Sequence, residues 1–278
     1  MAPDTAEATR GSLTSPDGTR LAYRAWPQAG APITFAVVHG HGEHSGRYER
    51  FARGMAAYGM ATYAIDLRGH GESSGQRGHL DSWGQWVEDA AAFVSLVEKE
   101  ASGEVVPLGH SFGGVVMLTL VRTGKLQRAR RFIVSNPALR LKKPVSWMLD
   151  GATKALSTIA PRLSLSNGVD ARTVSRIPEI VEAYRTDPLV HNKITPRLYV
   201  EWQRAAKENL AKAGEISLPF LILAGTDDPL IDPDSSRELH RNALEMSELC
   251  ELEGRYHEPF NDLGSEEVFE VIAKWLQK

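Results

Sequence analysis

The chain is 278 residues long, 42% hydrophobic and 24% charged, with a net charge of −3; this suits one large α/β domain, or one domain carrying an insertion, and excludes an electrostatic case for nucleic acid or anionic membrane. The single cysteine, Cys250, excludes an internal disulfide framework and a cysteine-based metal cluster, and fits a reducing compartment. The polar start, Met1-Ala2-Pro3-Asp4-Thr5-Ala6-Glu7, has neither a basic n-region nor an apolar h-region, and no run has transmembrane length, so a cytoplasmic protein is expected, its first ten residues a loose tail.

Ser15-Pro16-Asp17-Gly18 joins a residue that presets φ to one that accepts positive φ, which predicts an opening hairpin between residues 11–14 and 20–26. Residues 33–38 are a continuous apolar run, the pattern of a strand buried on both faces of a parallel sheet. Helical periodicity marks 47–58, and residues 60–65 read as the next strand, ending at Asp66. Trp83, Trp86, Val87, Ala90, Phe93, Val94 and Val97 share one stripe, which predicts a long amphipathic helix over 83–100. A short buried strand at 105–108, a buried helix at 114–121 and a strand at 131–135, stopped by Asn136-Pro137, follow. Much later come a strand at 220–224, a helix at 235–244, a strand at 248–252 and a closing helix at 265–276. The alternation predicts an α/β fold with a mostly parallel central sheet and helices on both faces.

Residues 138–214 break this rhythm, with helical patches at 145–159, 177–184 and 196–212 and no clear strand. The stretch is far longer than an ordinary crossover, so a helical cap is expected, inserted between core parts 1–137 and 215–278. Trp147, Met148, Leu149, Leu156, Ile159, Leu163 and Leu165 make its first part apolar, either to meet a lipid or to pack on the core below.

The chemistry is carried by Gly109-His110-Ser111-Phe112-Gly113. A serine thrown up at a sharp strand-to-helix turn needs small residues two before and two after it, so that strand and helix can approach. Strand-like residues precede this pentapeptide and helix-like residues follow it, as the motif requires. Serine becomes a nucleophile when a base takes its proton, and the base needs a carboxylate to hold its tautomer. For such an elbow the chain order is serine, acid, histidine. The loop after the strand at 220–224 offers Asp227, Asp228 and Asp232. Asp228 is the choice, because the loop then reads Gly-x-x-Asp-x-x-Ile up to Ile231; Asp227 is the runner-up, and Asp232 suits the start of the next helix. His257, after the last strand, stands out as the base by position. His110 is expected to point away from the elbow, and His79, His191 and His240 to be surface or hydrogen-bonding groups. The oxyanion is expected to meet two backbone N–H groups, those of Phe112 and of His41 in the glycine-rich loop His39-Gly40-His41-Gly42.

Together these residues resemble the α/β-hydrolase superfamily, and within it the monoacylglycerol lipase and lysophospholipase branch, from about Ser12 to Lys278. His39-Gly40-His41-Gly42-Glu43-His44-Ser45-Gly46-Arg47-Tyr48 is similar to that branch's His-Gly-x-Gly-Glu-His-Ser-x-Arg-Tyr signature. Asp66-Leu67-Arg68-Gly69-His70-Gly71-Glu72-Ser73 resembles the superfamily's loop after its fourth strand, and Phe112 stands where many relatives have Met. The resemblance implies the α/β-hydrolase fold, a triad of Ser111, Asp228 and His257, an oxyanion hole at His41 and Phe112, and an acyl tunnel under a mobile cap that touches membrane. The expected enzyme is a serine hydrolase that cleaves single-chain lipid esters through an acyl-enzyme, monoacylglycerol first, with lysophospholipid or short-chain esters as alternatives. It is expected to use no metal or organic cofactor, to bind no nucleic acid, and to be cytoplasmic with contact at a membrane surface. Trp147, Met148, Leu149 and Ile231 are the candidate substrate contacts. Rival readings are a zinc hydrolase, since His39-x-His41-x-Glu43-His44 resembles the His-x-His-x-Asp-His run of metallo-β-lactamase-like enzymes, and a non-catalytic receptor on the same fold. A peptidase is a further alternative; Ser111 argues against a dehalogenase, which needs an aspartate there.

Overall fold

In the computed structural model the described residues are 8–126 and 128–278. The chain opens with the hairpin β1 (Thr9–Thr14) and β2 (Arg20–Trp26), then β3 (Ile33–Val38), a 3₁₀ turn at Ser45–Tyr48, α1 (Glu49–Ala56) and β4 (Ala61–Ile65). It continues through α2 (Trp83–Glu100), β5 (Glu104–His110), α3 (Phe112–Arg122) and β6 (Phe132–Ser135). The long interruption holds α4 (Trp147–Ile159), β7 (Leu165–Ser166), α5 (Pro178–Thr186), β8 (Lys193–Ile194) and α6 (Pro196–Ala211). The chain then returns through β9 (Phe220–Gly225), α7 (Pro233–Asn242), β10 (Ser247–Leu252) and α8 (Ser265–Leu276). Thr9 and Arg10, expected in a loose tail, instead pair with Ala25 and Arg24 and lengthen the hairpin; residues 1–7 lie outside the described residues.

Eight strands form one sheet in the order β1-β2-β4-β3-β5-β6-β9-β10. Pairing is parallel from β4 through β10, while β2 runs antiparallel to both of its neighbours. The side chains of β3 alternate between two cores. Ile33, Phe35 and Val37 face α1 and α8, whereas Ala36 and Val38 face α2 and α3. That is why its sequence is apolar throughout instead of alternating. β9 does the same, with Leu221 and Leu223 on one side and Phe220 and Ile222 on the other.

The expectation of no strand between residues 138 and 214 is corrected by the two-residue antiparallel ladder of β7 and β8. A ladder that short has no period-2 pattern to read. The last helix of the stretch is bound to the main body: Asn209 donates to the Val115 carbonyl at 3.0 Å, and the Trp83 N–H donates to Glu201 Oε2 at 2.9 Å. The apolar start is mostly exposed, with Trp147 82%, Met148 64% and Ile159 80% accessible, so these side chains do not pack on the core below.

The parallel strands carry the loops that matter at one edge of the sheet. Strand β3 lies between β4 and β5, and the chain leaves β3 to one side, toward β4, but leaves β5 to the other, toward β6. The ends of β3 and β5 therefore flank a crevice, the usual place for a ligand in an open α/β sheet.

Candidate active site

Ser111 sits between β5 and α3 with φ 54° and ψ −118°, a backbone strain of about 1–3 kcal/mol for a non-glycine residue. The glycines around it make this turn sterically accessible. A Cβ on Gly109 would collide with the Gly113 carbonyl, and one on Gly113 with the Val38 carbonyl of β3. The turn is held by the Ser111 N–H donating to the Ser135 carbonyl at 2.9 Å, and by Ala138 N–H donating back to the Ser111 carbonyl at 3.0 Å.

Ser111, His257 and Asp228 lie on one line of hydrogen bonds. Ser111 Oγ is 3.0 Å from His257 Nε2, and His257 Nδ1 is 2.7 Å from Asp228 Oδ2. The other Asp228 oxygen accepts the N–H groups of Leu230 at 2.8 Å and Ile231 at 3.0 Å, so both carboxylate oxygens are engaged. Asp227 is exposed and away from this line, and Asp232 caps α7 through the Asp234 N–H. Burial disfavours a charged His257, but the charge and hydrogen bond of Asp228, with Glu258 and Glu43 behind it, outweigh burial and raise its pKa above the ordinary histidine value. A serine hydroxyl so placed can give its proton to the imidazole as it attacks a carbonyl.

Two backbone donors flank Ser111. Neither the Phe112 N–H, at the start of α3, nor the His41 N–H donates to a described residue. The direction of the second follows from a tautomer. Leu67 N–H points at His39 Nε2 at 3.0 Å, so that nitrogen accepts and the proton lies on Nδ1. Nδ1–H then donates to the Gly40 carbonyl at 2.6 Å. A trans peptide is planar, so holding the Gly40 carbonyl toward His39 turns the His41 N–H the opposite way. The Gly40 N–H is taken by Glu43 Oε1 at 2.6 Å, which also accepts Tyr48 Oη at 3.0 Å.

The His41 ring packs on Phe112 at 5.1 Å and against His70 and His191 at 5.4 and 5.5 Å. Burial, with His191 beside it, holds His41 down to about 3, so the ring is neutral. The zinc-like run does not come together as a ligand set: His39 is used as above, and His44 bonds Gly46 N–H and Asp187. Among the described residues no group of three or more His, Cys, Asp or Glu is arranged to hold a metal ion. His110 departs from expectation. Its ring lies 4.9 Å from that of His257 and borders the cavity, because Nδ1 bonds the Ser135 carbonyl at 3.1 Å and turns the ring under the His257 loop.

A cavity of about 260 Å³ opens over Ser111. Leu141, Val145, Leu149, Leu165, Ile194, Tyr199, Trp202, Leu230 and Ile231 make most of its wall apolar, while Glu43, Glu258 and Tyr184 bring polar atoms. Of the four candidate contacts, Leu149 and Ile231 border the cavity; Trp147 and Met148 face outward beside it.

Three positioning features were not evident in the sequence. Asn136, read as a strand stop, adopts φ 40° and donates to the His257 carbonyl at 2.7 Å while its Oδ1 accepts Gly225 N–H at 2.7 Å. Glu258 follows His257 and pairs with Arg47 at 2.5 Å. Arg47 lies 4.7 Å from the centre of the Tyr184 ring of α5. The signals in sequence were the adjacency of Glu258 to His257 and the place of Arg47 in the His39–Tyr48 signature; neither showed that the two pair.

A family model described as serine aminopeptidase, S33, matches residues 32–264. A monoacylglycerol lipase of Mycolicibacterium smegmatis is 32% identical over 269 residues, covering 95% of each chain. The phospholipase YtpA of Bacillus subtilis is 28% identical over 254 residues, covering 90% of this chain and 98% of the relative. The crystal structure of the Paleococcus ferrophilus monoacylglycerol lipase superposes with a TM-score of 0.79 at 32% identity, covering 98% of each chain. The chain therefore belongs to the serine aminopeptidase S33 family of α/β-hydrolases, in the branch that contains the monoacylglycerol lipases, and is a serine hydrolase.

Proposed function

We propose that this enzyme is a monoacylglycerol lipase, in which His257 takes the Ser111 proton as Ser111 attacks the acyl carbonyl. Asp228 fixes the His257 tautomer and stabilises the imidazolium, and the N–H groups of His41 and Phe112 hold the oxyanion. His257 then protonates the departing alcohol, and water activated by His257 releases the fatty acid. The observation that carries this reading is the hydrogen-bonded line at 3.0 and 2.7 Å opening directly onto a largely apolar cavity of about 260 Å³. The names of the Mycolicibacterium and Paleococcus relatives support the same substrate class.

Residues 138–214 serve as a cap over a core made of the described residues before 138 and of 215–278. Trp147, Met148, Ile159 and Leu163 form an exposed apolar patch on it, and a patch of this kind suits contact with a lipid surface. We place the enzyme in the cytoplasm, meeting lipid from one side; no helix among the described residues is long and apolar enough to cross a membrane.

Free fatty acid release from 1-monooleoylglycerol, compared with lysophosphatidylcholine, triolein and a short p-nitrophenyl ester, tests the reading. Ser111-dependent release from the monoglyceride with little from triolein supports it. Activity confined to the short ester discards the lipid substrate and retains the triad.

A further inference from the structure

We propose that Glu43 and Glu258 act as a charge filter for the alcohol half of the substrate, admitting neutral hydroxylated groups and rejecting anionic ones such as a phosphate. The inference rests on the lipase reading for the identity of that alcohol. Its location follows from the chemistry, because the leaving oxygen must receive a proton from His257 Nε2 and so lies on the His257 side of Ser111. Glu258 is the next residue in the chain. Glu43 reaches the same place from the other side: a Cβ built on Gly40 would sit 2.9 Å from both Glu43 Oε1 and Ser111 Cβ.

The charges there are unbalanced. The residues lining the cavity include two glutamates and no lysine or arginine. The nearest guanidinium, Arg47, is buried behind them, bonded to Glu258 Oε2 at 2.5 Å and near the Tyr184 ring. Its Nε lies 3.8 Å from Glu43 Oε2. Asn261 also donates to Glu258 Oε2, at 2.9 Å. Glu43 Oε2 and Glu258 Oε1 accept no hydrogen bond from any described residue, although each glutamate borders the cavity. Burial first, then Glu258, pushes Glu43 up to about 7, and Arg47 only partly opposes this. With Arg47 already engaged by Glu258, no unpaired cation borders the cavity among the described residues. A hydroxyl can donate to the free oxygens. A phosphate dianion has no proton to donate, and it would have to break the Arg47–Glu258 pair to find a counter-charge.

The test uses non-hydrolysable ethers, so it reads the filter whether or not the lipase reading holds. Inhibition of p-nitrophenyl butyrate hydrolysis is measured with 1-O-decylglycerol and with its 3-phosphate, on the wild type, Glu258→Gln and Glu43→Gln. The neutral ether is expected to inhibit at a Ki about tenfold or more below that of the phosphate. Either variant should narrow the gap several-fold, and the two variants guard against one failing to fold. A phosphate that binds the wild type as tightly as the neutral ether, or a gap unchanged in a folded variant, overturns the proposal. Hydrolysis of 1-monodecanoylglycerol, run in parallel, reports separately on the lipase reading: its absence sinks that reading, while the Ki ratio still decides the filter.

Discussion

Asn136 Nδ2 donates to the His257 carbonyl at 2.7 Å, while the Asn136 side-chain oxygen receives the Gly225 N–H from the end of β9. One amide thus ties the loop carrying His257 to the strand that leads to Asp228. It does so from a left-handed backbone conformation that asparagine tolerates better than most residues. Asn136→Ala removes these bonds, and a third from Nδ2 to the Tyr256 carbonyl at 3.2 Å, and leaves the Gly225 N–H and the His257 C=O unpaired, at about 1–3 kcal/mol each. Its kcat/KM is expected to fall about 10- to 100-fold through misplacement of His257. Thermal denaturation and steady-state kinetics on the same samples check both effects.

Ser111→Ala is expected to abolish turnover while leaving the fold intact, since it removes one hydroxyl at a strained position. Asp228→Asn should cripple catalysis far more than Asp227→Asn, because only Asp228 reaches His257. A reversed ranking in ester hydrolysis would reassign the acid.

His39 has its effect through a peptide plane. His39→Ala frees the Gly40 carbonyl and lets the His41 N–H turn away. A loss of kcat approaching the roughly 10²-fold of a missing oxyanion donor is expected, with KM changed only a few-fold. His39→Asn, whose amide N–H stands near the Nδ1 position, should recover part of that loss. Equal defects in the two variants, or a defect confined to KM, would show that His39 only packs.

His257 accepts a proton only when neutral, and its carboxylate neighbours raise its pKa. The acid limb of kcat/KM against pH should therefore lie above histidine's usual value of about 6.5. Glu258→Gln removes one of those charges and should move the limb to lower pH.

Stability should show a different acid dependence. Burial holds His39 and His191 down to about 4, His41 to about 3, and His70 and His110 well below the ordinary value. Between those values and about 6.5 the unfolded chain binds more protons, so stability is full above that pH and is lost as pH falls toward the folded values. Glu43, raised to about 7, and His257, raised above the ordinary histidine value, have the opposite sign, their contributions being lost as pH rises through the folded values, but they are two groups against five imidazoles. A drop in Tm of roughly 10 °C between pH 7 and pH 5 is expected by scanning calorimetry.

The core was legible in sequence wherever periodicity or apolar continuity was strong. The stripe from Trp83 to Val97 gave α2 its limits, and the run from Ile33 to Val38 gave β3. The serine, the acid loop and the late histidine were legible because elbow sterics and chain order constrain them. What the sequence hid depends on contacts between distant residues. Asn136 read as a strand stop because nothing local shows that its side chain meets His257, 121 residues away. The inward turn of His110 is set by the Ser135 carbonyl of a neighbouring strand, and β7 and β8 are too short to have a period.

Residues 174–191 are tied by hydrogen bonds to the loops that carry His41 and His257. The His191 N–H donates to the Gly42 carbonyl at 2.9 Å, Asp187 holds His44 at 2.9 Å, and the Glu258 N–H donates to the Val174 carbonyl at 2.9 Å. Residues 174–191 therefore help to hold both the loop of His41 and the loop of His257, whereas α4 shares none of these bonds. For anyone recombining this enzyme with its relatives, the natural seam runs after residue 166. A transplant of the α4 region alone leaves the reacting groups in register, but a transplant that carries residues 174–191 must bring the two loops with it.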